Sequence, residues 1–208
     1  LHLGGVDHLP RCRGALCLRS DRSLRACRGR RTGRRCVSSL GAGCLRNRRL
    51  GATIRTGFAA ARSDLVLYMD ADLPFDPDVL GQAMAAIHVT RADIIAGYRF
   101  DRTSEGLRRT VYSYLYNSLI GLLFGWPHRD VNFSFKLFRR ALLSRIVLKS
   151  EGSFIDAEFL VRARKAGAQV IQIGVDYFPR TRGQSTLASP GVIVGILREM
   201  VVLWRELR

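Results

Sequence analysis

Residues 1–49 of this 208-residue chain hold no lysine, and no aromatic side chain occurs before Phe58. The same 49 residues have two acids, Asp7 and Asp21, against thirteen arginines, and so carry +11 of the formal +17. The other 159 residues share +6 and are only moderately basic. The total charge would suggest a polyanion as partner. A stacking platform for bases, however, needs aromatics among the cations, and none is present here. All five cysteines (Cys12, Cys17, Cys27, Cys36, Cys44) lie in this segment without one Cys-x-x-Cys pair, which excludes the common zinc patterns. No compact apolar run follows a basic start, so no signal peptide is expected, and nothing else supports an oxidising compartment for disulfides. Residues 1–44 show neither a period of 2 nor one of 3.6. Residues 1–46 therefore read as an irregular Arg/Cys-rich segment, not natively folded, with a basic disordered arm as the other reading.

Long apolar runs are scarce too. The longest uncharged stretch is Thr110 to Pro127, 18 residues that include three Tyr, two Ser and an Asn. Eighteen is the lower limit for a bilayer span, and its rim of Arg108, Arg109, Tyr and Trp suits the headgroup region. It reads as an interfacial or core helix, with a membrane span as the alternative.

Against that background residues 64–78 stand out. Leu65 to Met69 is a short apolar run without Gly or Pro, the pattern of a strand buried on both faces. It leads straight into Asp70-Ala71-Asp72. Carboxylates at i and i+2 on an extended chain end point the same way, so both can face one divalent cation. Pro74 stops the strand, and Asp76-Pro77 suits a helix cap followed by proline at the first helical position. A buried strand, two acids at its carboxyl end, then turn and helix is where an open α/β sheet places ligand chemistry. The plainer reading is a solvated acidic turn.

From Asn47 the chain alternates. Leu50, Ile54, Phe58 and Ala61 share one helical face. A helix is predicted from Asp76 to about Val89, a strand from Asp93 to Tyr98 ending at Arg99, and an alternating strand from Val131 to Phe138. A helix over 155–166 is closed by Gly167, and Val170 to Val175 is the last strand. After Pro190, Ile193, Ile196, Leu197, Met200, Val201 and Trp204 form a stripe with Arg198, Glu199, Arg205 and Glu206 off it. That amphipathic helix can dock on the protein or lie on a membrane. Such alternation with short joins predicts an α/β fold with a mostly parallel, doubly wound sheet.

Several stretches in fixed order carry a resemblance. They are Asn47-Arg-Arg-Leu-Gly-Ala, Leu67-Tyr-Met-Asp-Ala-Asp-Leu73, Gly97-Tyr-Arg99, Arg109-x-x-x-Ser113, Asp130-x-x-x-Ser134-Phe-Lys-Leu-Phe-Arg139 and Arg180-x-x-Gly183-x-Ser185. Together they make residues 47–188 resemble family 2 glycosyltransferases, above all the branch that makes polyprenyl-phosphate sugars, such as dolichyl-phosphate mannosyltransferase. The resemblance implies a GT-A-type, Rossmann-like domain over 47–188 with an incomplete nucleotide-binding half, and an amphipathic helix over 189–208. It implies transfer from a GDP- or UDP-linked sugar, with inversion, to a polyprenyl phosphate, by a protein held peripherally or monotopically at the cytoplasmic face of the membrane. Nucleic acid is not an expected partner. By the resemblance, Asp70 and Asp72 hold Mg²⁺ or Mn²⁺ against the donor diphosphate. Arg99, Arg109 and Ser113 take the acceptor phosphate, and Arg180 and Ser185 belong to a loop that closes on the donor.

A dication beside a departing diphosphate stabilises the charge that develops there, and two guanidinium groups with a hydroxyl suit a phosphate monoester. Such an acceptor is already ionised and needs no general base. A sugar hydroxyl would need one, with Asp130, Asp156 and Glu158 as candidates, each better explained structurally. Asp76 and Asp78 read as helix cap and first-turn acid. Thr186 stands where the family often has Lys, and Pro74 where the mannosyl branch commonly has Gln. The first strand and Asp-Asp pair of the nucleotide-binding half have no counterpart in 1–46. Read one base later, codons that suit Arg28-Gly29-Arg30-Arg31 spell Val-Asp-Asp-Gly, so a frameshift near residues 40–48 is expected. An inactive, truncated homologue is the further alternative.

Overall fold

The computed structural model describes residues 14–18, 50–70, 75, 76, 78–100, 107–125, 129–178 and 190–208, with the backbone alone at 14–18, 108, 109 and 190. Asp72, Arg180, Gly183, Ser185 and the expected frameshift region near 40–48 lie outside the described residues.

The run predicted as a fully buried strand is one. β2 (Leu65–Met69) places Leu65 and Leu67 on one face of the sheet and Val66 and Tyr68 on the other, all at most 3% exposed. It lies between β1 (Gly14–Leu18) and β4 (Lys136–Arg139), followed across the sheet by β3 (Ile94–Arg99) and β5 (Val170–Val175). β3 and β5 pair in parallel, whereas β4 is antiparallel to both β2 and β3, and β1 is antiparallel to β2. The class is α/β as expected, but the sheet is mixed rather than mostly parallel. β4 enters at the end where β2, β3 and β5 leave, so it runs against them. Its ladder is shorter than the predicted 131–138, because Phe133 N–H turns back to the carbonyl of Asp130 (3.2 Å) before pairing begins. Residues 1–46, expected to be irregular, contribute the described strand β1, whose backbone pairs with an edge that would otherwise be open.

Helices cover both faces. α2 (Asp78–Val89) sends Val79, Ala83 and Ile87 onto Leu65, Leu67, Ile95 and Leu137. Asp76 caps it, its carboxylate accepting from the amide of Asp78 at 2.9 Å, and Arg139 holds its other end through the carbonyls of Ile87 (3.1 Å) and Ala92 (3.0 Å). The opposite face is covered by α1 (Leu50–Ala60), α3 (Leu107–Phe124), α4 (Ile155–Lys165) and α5 (Pro190–Leu207). There Phe58 meets Tyr68, Phe138 and Phe159 at 5.1–5.9 Å between ring centroids, edge-on or tilted as aromatic quadrupoles favour. α4 ends as predicted, with Gly167 at φ +77° and Ala168 N–H reaching back to Ala163 O at 2.9 Å.

α3 is a core helix on one side only. Asn117 and Ile120 are buried, while Leu107, Tyr114 and Leu122 are 70–82% exposed. Among the described residues no helix is long and apolar enough to cross a membrane. The hydroxyl of Tyr116 is buried without a hydrogen-bond partner among the described residues. Burial, reinforced by Asp156 and Glu199, pushes this phenol above its ordinary range. A raised phenol favours the neutral folded form, so its contribution is full below the unfolded value of about 10 and falls as pH rises beyond it. Tyr116→Phe is therefore expected to stabilise by about 1 kcal/mol at neutral pH, and to flatten the loss of stability above pH 10, as urea denaturation across pH would show.

Candidate active site at the strand ends

The mixed sheet collects polar chemistry at one end. β2 leaves into Asp70, β3 ends at Arg99, β5 continues to Asp176 and Tyr177, and residues 130–135 arrive there before β4. In open α/β sheets ligands bind at the carboxyl ends of the strands, which makes this end the candidate site. Asp70 is half-buried, and its amide donates to Ser134 Oγ at 3.3 Å, so strand exit and incoming segment are tied together.

Arg99 is held more tightly. Its Nε and Nη2 donate to the two oxygens of Asp130 at 2.7 and 3.0 Å, and its amide donates to the same carboxylate at 3.4 Å. The two side chains are 9% and 1% exposed. A bidentate pair of this kind is geometrically specific. The guanidinium also lies 5.8 Å from the ring centre of Phe133 and 5.4 Å from that of Tyr177. Gly97 permits the arrangement, since a Cβ there would sit 2.9 Å from the Phe133 ring. Tyr177 bridges to Phe75, which stands just past the Asp70–Asp72 stretch. Asn117 of α3 fixes the approach from the other side: it donates to Arg129 O at 2.9 Å and accepts from Val131 N–H at 3.1 Å.

The structure thus brings Asp70, Arg99, Asp130 and Ser134 to one end of the sheet. Ser113 is half-buried on α3, four residues after Arg109, so the two share a helix face. The three acids considered as bases have structural partners. Asp130 pairs with Arg99, and Asp156 accepts from Lys136 Nζ at 2.9 Å with both side chains at most 2% exposed. Glu158 is wholly buried and accepts from the amides of Lys149 and Ser150 and from Arg162 Nε. Among the described residues no three His, Cys, Asp or Glu side chains gather as a metal cluster. Asp70 is the member of the predicted pair that is described, and its hard oxygen donors suit Mg²⁺ or Mn²⁺.

Residues 45–147 match the family described as glycosyl transferase family 2. The chain belongs to this family. Over 162 residues this glycosyltransferase-family chain is 31% identical to glycosyltransferase AglD of Haloferax volcanii, covering 76% of itself and 26% of AglD. Over 100 residues it is 28% identical to the dodecaprenyl-phosphate galacturonate synthase of Rhizobium johnstonii, covering 48% of itself and 30% of that protein. The chain therefore spans less than a third of either relative. In fold it is similar to glucosyl-3-phosphoglycerate synthase of Mycobacterium tuberculosis, solved with Mn²⁺, uridine diphosphate and glucosyl-3-phosphoglycerate. The TM-score is 0.53 at 14% identity, over 81% of this chain and 55% of that one. That likeness supports the GT-A-type fold.

Sequence reasoning on this chain missed Tyr177, Phe133 and Asn117. The first follows β5 as Arg99 ends β3, so its place just beyond an uncharged strand was a usable signal. Asn117 was a lone amide in an uncharged helix, where a buried amide needs partners on both its ends.

Proposed function

We propose that this family 2 glycosyltransferase moves a sugar from a nucleotide-linked donor to a polyprenyl phosphate, with a divalent cation held by Asp70 and Asp72. The observation that carries the reading is the convergence of Asp70, Ser134 and the Arg99–Asp130 pair at the strand ends. The Mn²⁺ and uridine diphosphate of the fold neighbour, and the dodecaprenyl phosphate in a relative's name, support the donor and acceptor classes. When bound, the cation would supply Lewis-acid stabilisation of the departing diphosphate.

The chain's own residues do the rest. Asp70 is positioned by the hydrogen bond that its backbone N–H donates to Ser134 Oγ. Arg109 and Ser113 on one face of α3 take the acceptor phosphate, while Arg180 and Ser185 close on the donor. Arg99, expected to bind that phosphate directly, already has its charge balanced by Asp130. We assign it a positioning role, holding Phe133 and Tyr177 as one wall. A phosphate oxygen then attacks the anomeric carbon, and the bond from that carbon to the diphosphate oxygen breaks. No proton has to move, which agrees with three candidate bases being engaged elsewhere; this favours a phosphate over a sugar hydroxyl as acceptor.

The test is release of nucleoside diphosphate from a panel of UDP- and GDP-sugars with polyprenyl phosphate and Mn²⁺ or Mg²⁺, on this chain and on a frame-corrected version. Asp72→Asn is expected to lower turnover about a hundredfold, and chelation of the cation to abolish it. Equal turnover by Asp72→Asn would remove the metal assignment.

A further inference from the structure

α5 docks on the domain with Ile196, Met200, Leu203 and Leu207, all at most 8% exposed. It also carries a second apolar row that this docking leaves outside. Val194, Leu197, Val201 and Trp204 recur at intervals of three and four residues and are 36–72% exposed. Arg198 and Arg205 follow Val194 and Val201 by one turn each and are exposed as well. The helix has two acids, and both are bonded to the body, Glu199 half-buried and Glu206 exposed. Glu199 Oε1 accepts from the amides of Glu151 (3.1 Å) and Gly152 (2.8 Å), and Glu206 is bonded by Lys149 and Arg162 at 2.7 and 3.1 Å. The apolar row is therefore flanked by cations, while both acids are engaged by groups of the body.

From this we infer that the outer row of α5 lies on an anionic lipid bilayer, with its aliphatic side chains and Trp204 in the headgroup boundary and Arg198 and Arg205 on lipid phosphates. A helix with an apolar row beside cations is the form that binds in the interface plane, and no described helix is able to cross instead. A second copy of the chain is the less suitable occupant. An isologous contact would set the same arginines against each other. A nucleic acid would leave the aliphatic row against water. The inference deepens the lipid-acceptor reading by naming the surface that brings the enzyme to its acceptor, but it rests on α5 and not on the site residues.

The experiment is co-sedimentation of the full chain with vesicles of phosphatidylcholine mixed with phosphatidylglycerol, against phosphatidylcholine alone. Binding is expected to the mixed vesicles and to weaken with salt. R198Q/R205Q is expected to reduce partitioning about 25-fold, at about fivefold per arginine removed. In a Trp126→Phe background, Trp204 is the sole tryptophan, and its emission is expected to shift to the blue on the mixed vesicles. Val201→Asp should lose vesicle binding yet retain turnover of a short, water-soluble polyprenyl phosphate. Failure of the unmodified chain on that soluble acceptor would sink the transfer reading and leave the vesicle result standing. No partitioning at low salt, or self-association abolished by Val201→Asp, would overturn the bilayer assignment.

Discussion

Lys136→Met is expected to destabilise the folded chain by about 3–5 kcal/mol, a large share of the 5–15 kcal/mol or so on which a domain rests. Lys136 is 1% exposed. Its ammonium donates to Asp156 Oδ1 at 2.9 Å and to the carbonyl of Phe133 at 2.7 Å, and lies 5.3 Å from the ring centre of Tyr68. Methionine fills much of the same volume, so packing changes little. What changes is charge: the Asp156 carboxylate stays buried without its lysine. The pair itself is not strongly stabilising, because desolvation of two ions offsets most of their attraction. That reasoning makes the double variant informative. Lys136→Met with Asp156→Leu removes both ions and is expected to recover most of the loss. Urea denaturation of the four members of the cycle gives the coupling. Additive costs would show that the lysine does not compensate the aspartate, and would remove the electrostatic account of this core position.

The second large effect belongs to the smallest side chain. Gly51→Ala is expected to cost about 3 kcal/mol or to prevent folding, at or beyond the usual range for overpacking. A Cβ at this position would meet the carbonyl oxygen of Ser150 at 1.9 Å and the Cα of Glu151 at 2.8 Å. These are backbone atoms and cannot rotate away. Relief would require α1 to lift from the 150–151 segment and lose the bond from Gly51 N–H to Glu151 O, now 2.9 Å. Gly81 is the internal control. It lies exposed within α2, and a methyl group there would meet nothing within 4 Å, so Gly81→Ala should stabilise by about 0.5–1 kcal/mol through helix propensity alone. Thermal unfolding of the two variants should shift in opposite directions. A parallel shift would mean that close approach does not explain the glycine at position 51.

Much of this architecture is legible in single segments. The bounds of β2 and β5 follow from uncharged runs between breakers, and the end of α4 follows from Gly167. The helix at the chain's end follows from its apolar stripe. Other features have no local signal. Arg99 and Asp130 are 31 residues apart, and Lys136 and Asp156 are 20 apart; nothing in their neighbours announces either pairing. The same holds for Glu199, which reads as an outward acid on an amphipathic helix yet turns inward to the amides at 151 and 152.

The amino-acid order alone determined where elements lie, which faces they bury and that an acidic pair follows a buried strand. Periodicity and local turn chemistry act over a few residues and need no partner to be read. Tertiary structure alone decided that β4 runs against its neighbours, and that Arg99 is balanced by Asp130. It also decided that α5 keeps an apolar row after docking. Each depends on which surface meets which, and a pattern of burial specifies that a face must be covered without specifying what covers it.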